Sequence, residues 1–354
     1  MPNYQLWALD DAYAKQAMFD QWLSLDYRIG LNQIASASIN LPANDDKIPD
    51  AALMERLQIK RDGTLVWAGI FQTESWEIGE AAPQNDIHAV DALDNNAYLL
   101  WRTIERPAGA DFHKETGAAD DVAKAYVLAH LGTGAVAARR FTDMTIEADA
   151  TAVASATKLW VGGSVYEHLQ RLGAEKSFYW RMVPTASGCE FQTAYPLWGL
   201  DRSKGNGVND ELVFTLDRKN VARIAYKKDL SAHFNHMYMG GAGEGQNQLM
   251  VERADATYVS DNKRRELWVP ATSYISTAGL QAEGDRVIEE RRPFEIMDIT
   301  PAVSAITPSN LGDKVTVFAR RYDRSFEFDA IIMAINFAVT PDGVERAVPE
   351  LVAA

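Results

Sequence analysis

The residues whose type and spacing could do chemistry fall in a few short stretches. His233-Phe234-Asn235-His236 would offer two imidazoles to a divalent cation if it lay on a helix. No third His or Cys lies near, and the flanking residues read as strand, so no metal site is assigned. Gly241-x-Gly243-x-Gly245 resembles a dinucleotide loop only superficially. That fingerprint needs its third glycine one position later, then a helix and an acidic residue about twenty positions on, whereas Gln248-Leu249-Met250-Val251 reads as strand. A tight β-connection is the better reading. Of the acidic pairs, Asp45-Asp46 sits in a turn, and Asp120-Asp121 and Glu289-Glu290 sit on helices, where solvated faces account for them. A carboxylate dyad assembled only by the fold is not legible at this level. Cys189, the single cysteine, lies in the alternating stretch Gly188-Cys189-Glu190-Phe191-Gln192 and reads as a small apolar residue rather than a nucleophile. Gly-x-Ser-x-Gly, the phosphate-loop motif and His-Glu-x-x-His are all absent. The sequence therefore assigns no catalytic, cofactor-binding or metal-ligating residue.

The charge balance narrows the partners. Thirty-five Lys and Arg stand against forty-nine Asp and Glu, a net charge of -14, which leaves no basic footprint for nucleic acid or anionic lipid. The basic pairs Arg139-Arg140, Arg264-Arg265, Arg291-Arg292 and Arg320-Arg321 are scattered and lack interleaved aromatics. Such a surface suits plain solubility, or a protein past which DNA slides without sticking. One cysteine excludes an intrachain disulfide, so packing alone must hold the fold. Met1 to Asp10 carry no signal pattern, and the longest apolar run, Ala330 to Ile335, is far too short to span a membrane. The expectation is synthesis in the cytoplasm, with export only by assembly into a particle. Nine tryptophans lie mostly in alternating strands, where core or interface packing outweighs carbohydrate stacking.

With 354 residues the chain predicts two to four folding units. Residues 4–104 read mainly as strands punctuated by turn signals. Leu57-Gln58-Ile59-Lys60 alternates, Asp62-Gly63 supplies the positive-φ positions of a hairpin, and Leu65 to Phe71 is apolar on both faces. Beyond Arg106-Pro107 a helix is predicted from Asp120, with Val122, Ala125, Tyr126 and Ala129 on its inner face and Gly132 as its stop. A second begins at Ser164, whose partner Glu167 completes a capping box, buries Val165, Leu169 and Leu172, and ends at Gly173. Strands at 177–183 and 189–194 follow. Strand character returns at 211–216, 221–226 and 236–239, a helix is expected near Ala282 to Arg292, and strands close the chain from Lys314 to Thr340.

An internal echo links the two ends. Gly69-Ile70 is followed by Trp76 and Ile78, and Ala330-Ile331 is followed at the same spacing by Phe337 and Val339. Each stretch follows an alternating strand and a charged turn. The echo hints at two similar β-domains, with Gly69 matching Ala330, Ile70 matching Ile331, and Trp76 and Phe337 filling the same corner of each.

The order of segments resembles the tail-tip hub family of siphophages, kin to the baseplate hub of contractile-tailed phages. The resemblance rests on Ala35–Pro42 followed by Ile59–Ile70, then Leu99–Ile104, Gly199–Ser203, Asn220-Val221, Met237–Gly245, Arg264–Glu266 and Leu311–Val317. It implies an α+β multidomain fold: a tube-like β-barrel over 1–107, an α/β domain over 108–205, a second barrel from 206–253 and 311–354, and an inserted α/β segment over 254–310. It further implies a homotrimeric ring at the distal tail tip of the virion, made in the host bacterial cytoplasm, joining the six-fold tail tube to three-fold tip components and lining the DNA channel. The partners implied are the distal tail protein and tail tube, other tip proteins or fibres, and the tape measure protein, with no specific nucleic-acid binding and no stable membrane insertion. Many relatives continue into a peptidase or fibre-like part, whereas this sequence stops at Ala354, so such an activity is expected to belong to another protein. A tail-associated cell-wall hydrolase and a host-glycan-binding module are the alternatives. The first requires a polar cluster in a concave pocket, the second exposed tryptophans.

Overall fold

The computed structural model describes residues 2–43, 55–77, 86–255, 264–292, 294–301, 306–321 and 324–354. Asp45-Asp46, Ile78 and the turns at 82–85 and 260–263 lie outside these. The chain packs as two compact units, one of Met1–Ile224 with Ile299–Ala354 and one of Ala225–Asp298.

The first unit opens with β1 (Tyr4–Leu9), β2 (Lys15–Phe19), β3 (Ser24–Gly30), β4 (Ser36–Pro42), β5 (Arg56–Arg61), β6 (Thr64–Glu77) and β7 (Ile87–Asp94). The α/β part holds α1 (Ala97–Leu100), β8 (His113–Ala118), α2 (Ala119–His130), β9 (Met144–Ile146), β10 (Ser155–Trp160), α3 (Val165–Lys176), β11 (Tyr179–Thr185) and β12 (Gly188–Ala194). After β13 (Val213–Thr215), β14 (Val221–Asp229) runs into the second unit, which holds β15 (His236–Gly240), β16 (Met250–Ala254), β17 (Glu266–Pro270) and α4 (Thr277–Glu290). The chain returns through β18 (Phe294–Pro301), which pairs with β14, and ends in β19 (Lys314–Arg321), β20 (Arg324–Val339) and β21 (Glu345–Ala353).

Eleven strands form one sheet, in the order β13-β19-β20-β3-β4-β7-β6-β5-β1-β2, with β21 also on β20. The expected pair of separate barrels is thus one continuous ladder, and among the described strands no pairing closes it into a barrel. The cause lies in β20. Ala330 and Ile331 pair with both β19 and β21, so those strands lie on opposite edges. Ala334 to Val339 pair with both β3 and β21, so β3 follows β19 along the same edge. Alternation along a strand fixes which side chains point inward, but not which strand lies alongside. The strands β15 and β16, expected in the second barrel, instead form a three-stranded sheet with β17, and the face carrying Met237 and Met239 packs with Leu280, Val287 and Ile288 of α4.

The echo has a structural counterpart. In both long strands the first hairpin partner is lost after the matched isoleucine, Ile70 opposite Arg56 and Ile331 opposite Lys314. In both, the ladder to the following strand then shifts register at the matched place, between Phe71 and Thr73 and between Ile332 and Ala334. Such a bulge bends a long strand and deepens its twist. The corner residues differ from expectation. Phe337 is buried and stacks on Tyr27, centroids 4.6 Å apart, whereas Trp76 is 49% exposed and stacks on His88 at 4.0 Å. The next row on that face is Glu74–Val90–Ile39, in which Val90 and Ile39 are buried.

The α/β part has its own core, in which Tyr126, Val127, Leu169, Leu172, Trp180 and Phe191 are all buried. The capping box of α3 forms as predicted, Ser164 Oγ accepting from the Glu167 N–H and the Glu167 carboxylate from the Ser164 N–H. Gly173 does not end that helix. It lies inside, where a Cβ would stand 3.2 Å from the Asn32 amide, and the helix runs on to Lys176 before Ser177 turns left-handed. The buried face of α2 carries Ala123, Val127 and His130 in place of Ala125 and Ala129. Asp120 is buried rather than solvated, its carboxylate accepting from the N–H groups of Ala152 and Val153. Asn32 holds this part to the large sheet, its amide oxygen accepting from Trp180 N at 2.7 Å and its amide nitrogen donating to Phe178 O at 3.1 Å.

Two sites in this unit give tests. Gly312 has φ +82°, and a Cβ there would stand 2.5 Å from the Trp198 Cβ. Its carbonyl accepts from Gly199 N and its N–H donates to Ile332 O. Gly312→Val should cost about 3 kcal/mol in urea unfolding, from backbone strain and overlap together; a wild-type midpoint would show the turn to be unconstrained. In the α/β core, His113 Nδ1 and His130 Nε2 lie 3.1 Å apart. Burial, then the neighbouring His113, pulls His130 down to about 4. A base depressed in the folded state stabilises it above the unfolded value near 6.5, and that stability is lost as pH falls through 4. Urea midpoints should therefore drop from pH 7 to pH 4.5, and His130→Asn should flatten that slope; equal slopes would remove His130 as the cause.

Candidate assembly interface

One face of the large sheet is dry and the other wet, as the alternation of β3 and β4 requires. Directly paired residues share a face. The dry row Phe337–Tyr27–Ala37–Ala92 is buried throughout. The adjoining wet row runs Arg346–Ala338–Asp26–Ser38–Asp91–Thr73 across β21, β20, β3, β4, β7 and β6. Rows beside it add Asn336 and Arg28 on one side, and Ser24, Asn40, Ala89 and Ser75 on the other. These are small or polar side chains, and their charges are mixed. Arg28 bonds Glu350 at 2.6 Å, and Asp91 accepts from Thr73 at 2.9 Å. A shallow concavity of about 300 Å³ lies here, lined by Asp26, Arg28, Ser36, Ser38, Asn336 and Arg346 among others. Chemically, such a surface offers weak, dispersed hydrogen bonds and no continuous basic track.

The outer strands of the sheet carry features that discourage stray pairing. Among the described strands β2 pairs only with β1 and β21 only with β20. Pro349 stands mid-way along β21, flanked by exposed Arg346 and Glu350. Proline removes a backbone donor, and charges on an edge discourage its extension by another chain. On β2, Lys15 is exposed and its ammonium lies 3.7 Å from the Trp7 ring centroid.

The sheet curls around its dry side, because side chains from strands far apart in the ladder meet there. Arg61 of β5 forms a two-point pair with Glu345 of β21, Nε–Oε2 2.8 Å and Nη2–Oε1 3.3 Å. Tyr4 of β1 donates to the same carboxylate, and its hydroxyl lies 3.1 Å from that of Tyr27 on β3. Burial raises both phenols well above their ordinary value. The rolled shape expected of a barrel is thus approached through side chains, without a closed ladder.

The segments singled out in the sequence converge in pairs. Gly199–Ser203 docks on Leu311–Lys314, with Leu200 N donating to the buried Asp313 carboxylate at 2.8 Å, Lys314 N to Leu200 O and Arg202 N to Lys314 O. Within the second unit, His236–Gly240 pairs in parallel with Glu266–Pro270. The stretches Ala35–Pro42 and Ile59–Ile70 lie in the middle of the large sheet as β4 and the β5–β6 hairpin. A match of a family model described as Siphovirus ReqiPepy6 Gp37-like protein covers residues 3–348. The chain belongs to that family. The family is one of siphovirus proteins. No curated protein matches it. Solved structures share its fold at low identity. A tail protein from Neisseria meningitidis MC58 is 13% identical with a TM-score of 0.63, covering 99% of this chain and 96% of its own. The 43 kDa tail protein of prophage MuSo2 from Shewanella oneidensis is 14% identical, also at 0.63, over 100% and 98%. Prophage tail protein gp18 from Listeria monocytogenes EGD-e is 9% identical at 0.57, over 98% and 94%.

Residues weighed for chemistry fall elsewhere in this family member. His233 lies in a turn and His236 on a strand bonded to Glu252, so the two do not share a helix face. Cys189 is buried, and burial raises its thiol far above the usual range. Asp94 is a buried acid that sequence reading missed. Burial pushes it up to about 7 against the opposing charge of Arg181, and Asn96 donates to it from both backbone and side chain. Gly241 to Gly245 forms a tight connection, with Gly241 N donating to Leu249 O and Leu249 N to Ala242 O. Of the tryptophans, Trp67 and Trp180 are fully buried, while Trp76, Trp101 and Trp268 are 49%, 41% and 50% exposed.

The clasp is testable by a double-mutant cycle. Arg61→Met leaves the Glu345 carboxylate, 8% exposed, without its cation and should cost about 2–3 kcal/mol. Adding Glu345→Gln should recover part of this, giving a coupling of about 1–2 kcal/mol. Strict additivity in urea unfolding would show that the two ends of the sheet are not tied by this pair.

Proposed function

We propose that this chain is a structural, non-enzymatic hub at the distal tip of a long non-contractile tail. Three copies form a ring whose wet sheet faces line the DNA channel. Each copy contributes two tube-like repeats, centred on β5–β7 and β19–β21, so that three copies offer six similar surfaces to a six-fold tail tube and three-fold symmetry below. The observation that carries this reading is the matched pair of long bulged strands, which lose their first partner and shift register at equivalent residues. A chain that meets a six-fold tube in three copies needs one shape twice.

The wet face supports the channel role. Its serines, alanines and asparagines carry no charge, and Arg28 and Arg346 stand among Asp26, Asp91 and Glu350, so few phosphates are neutralised, and affinity for DNA grows with each phosphate neutralised. The blunted outer strands support a chain that stays unassociated until tail tube, distal tail protein, tape measure protein and tip components bring copies together. Of the four parts expected from sequence, 1–107, 108–205, 206–253 with 311–354, and 254–310, this reading moves 236–253 out of the second repeat.

Averaged cryo-EM density of the tail tip should show three copies; one or six would overturn the ring. Ser38→Lys with Ala338→Lys should leave tails assembled but slow DNA ejection in vitro, more at low salt than at high salt. Unchanged ejection kinetics in particles that carry both lysines would remove this face from the channel.

A further inference from the structure

Trp268 stands mid-strand in β17, yet half its surface meets solvent. The opposite face of its sheet carries the core, where Met237 and Met239 are fully buried against α4. The indole lies across the neighbouring strand, over Gly240. A Cβ at Gly240 would stand 2.5 Å from its Cζ2 and 2.7 Å from its Cη2. Glycine at that place lets the ring lie down on backbone. A tryptophan so placed covers backbone with one face and leaves the other open.

Polar groups share this face of the sheet, in the rows on the side of Trp268 away from Gly240. Tyr238 lies beside Trp268 in the ladder, with Glu252 on its far side. The Arg264 guanidinium reaches the Tyr238 hydroxyl, Glu252 at 3.1 Å and Glu266. His236 bonds Glu252 from the adjoining row. The Gln248 amide nitrogen comes within 3.0 Å of the same Gly240 position. Arg264, Glu252 and Glu266 keep 47%, 51% and 50% of their side chains exposed, so each has hydrogen-bonding capacity facing solvent. Met250 and Pro270 extend the platform along the row through Gly240.

We propose that this face is a saccharide site, taking a neutral pyranose of a cell-surface polysaccharide. The apolar C–H face of the sugar stacks on the open face of Trp268. Its hydroxyls meet Glu252, Glu266 and Arg264, whose mutual bonds already hold them in place, so little order is lost on binding. Two carboxylates against one guanidinium disfavour uronic acids and phosphate-bearing polymers. A protein partner fits less well, because covering the indole would also bury this charged cluster, and interface cores are depleted of such charges. The site is independent of the hub reading, since it lies within residues 236–270.

The test uses the full chain and the chemical-shift and line-width changes of the sugar's own NMR signals, a readout that survives the loss of Trp268. N-acetylglucosamine oligomers and neutral hexose oligomers are titrated, with polyglycerol phosphate as the anionic control. A neutral series should give a saturable shift and the control none. Trp268→Ala should weaken binding at least tenfold, Trp268→Phe less, and Gly240→Ala, which lifts the ring, by a similar factor; Trp101→Ala should change nothing. Circular dichroism confirms that each variant is folded. Absence of binding across both neutral series, or equal binding by folded Trp268→Ala, overturns the proposal. So does a Trp268→Ala protein that binds sugars normally but fails to enter tails, which would make the platform a protein contact.

Discussion

The pairing of β20 with β3 sets the layout of the first unit. It joins Ala334–Val339 to Leu25–Gly30, some three hundred residues apart in sequence, and so places the terminal strands in the sheet begun by the first ones. Closing so long a loop is less costly than its length suggests. Going from sixty to three hundred residues adds only about 1.4 kcal/mol, because the cost grows with the logarithm of length. Against this stand Phe337 stacked on Tyr27, Val339 beside Leu25 and Ile335 beside Ile29, all buried. Each such side chain contributes about 1.5–3 kcal/mol by leaving water. Once these residues face the core, the alternation of the sheet puts Ala338, Asn336, Asp26 and Arg28 on the other side.

Local chemistry was readable where a few neighbouring residues decide the outcome. Asp62 and Gly63 take the positive φ a tight hairpin requires, and Ser164 with Glu167 closes a capping box, because each signal acts within four residues. Positions decided by distant partners were not readable. Gly173 looks like a helix stop until Asn32, from the other end of the unit, is seen packed against it. Asp120 looks like a solvated helix-start acid until the Ala152-Val153 backbone arrives to donate to it. The family was readable from short segments met in a given order, and two of them meet in the fold: Gly199–Ser203 and Leu311–Lys314 satisfy one another's backbone groups. The exposed tryptophans were not separable from the buried ones, since Trp67 and Trp268 both sit within strands and differ in what covers them.

The two long strands break register at matched positions in unlike sequence. In β20 the carbonyl of Met333, the residue set out of register, accepts from Leu31 N and from the Gln33 amide, so the strand that replaces β19 is anchored at the bulge itself. In β6 the corresponding residue is Gln72, whose own amide turns back to the carbonyls of Ile70 and Phe71. Neither the residue type nor the partner is preserved, only the position of the bend. A bend at a fixed distance from the hairpin sets the direction of the last part of each long strand. On the hub reading, that direction is what must agree between repeats, because six contacts with a symmetric tube constrain backbone geometry and leave side chains free to diverge. The echo in sequence is faint for the same reason: small residues and isoleucines at the bend are held by the fold, while Trp76 and Phe337, a few residues further on, serve different neighbours.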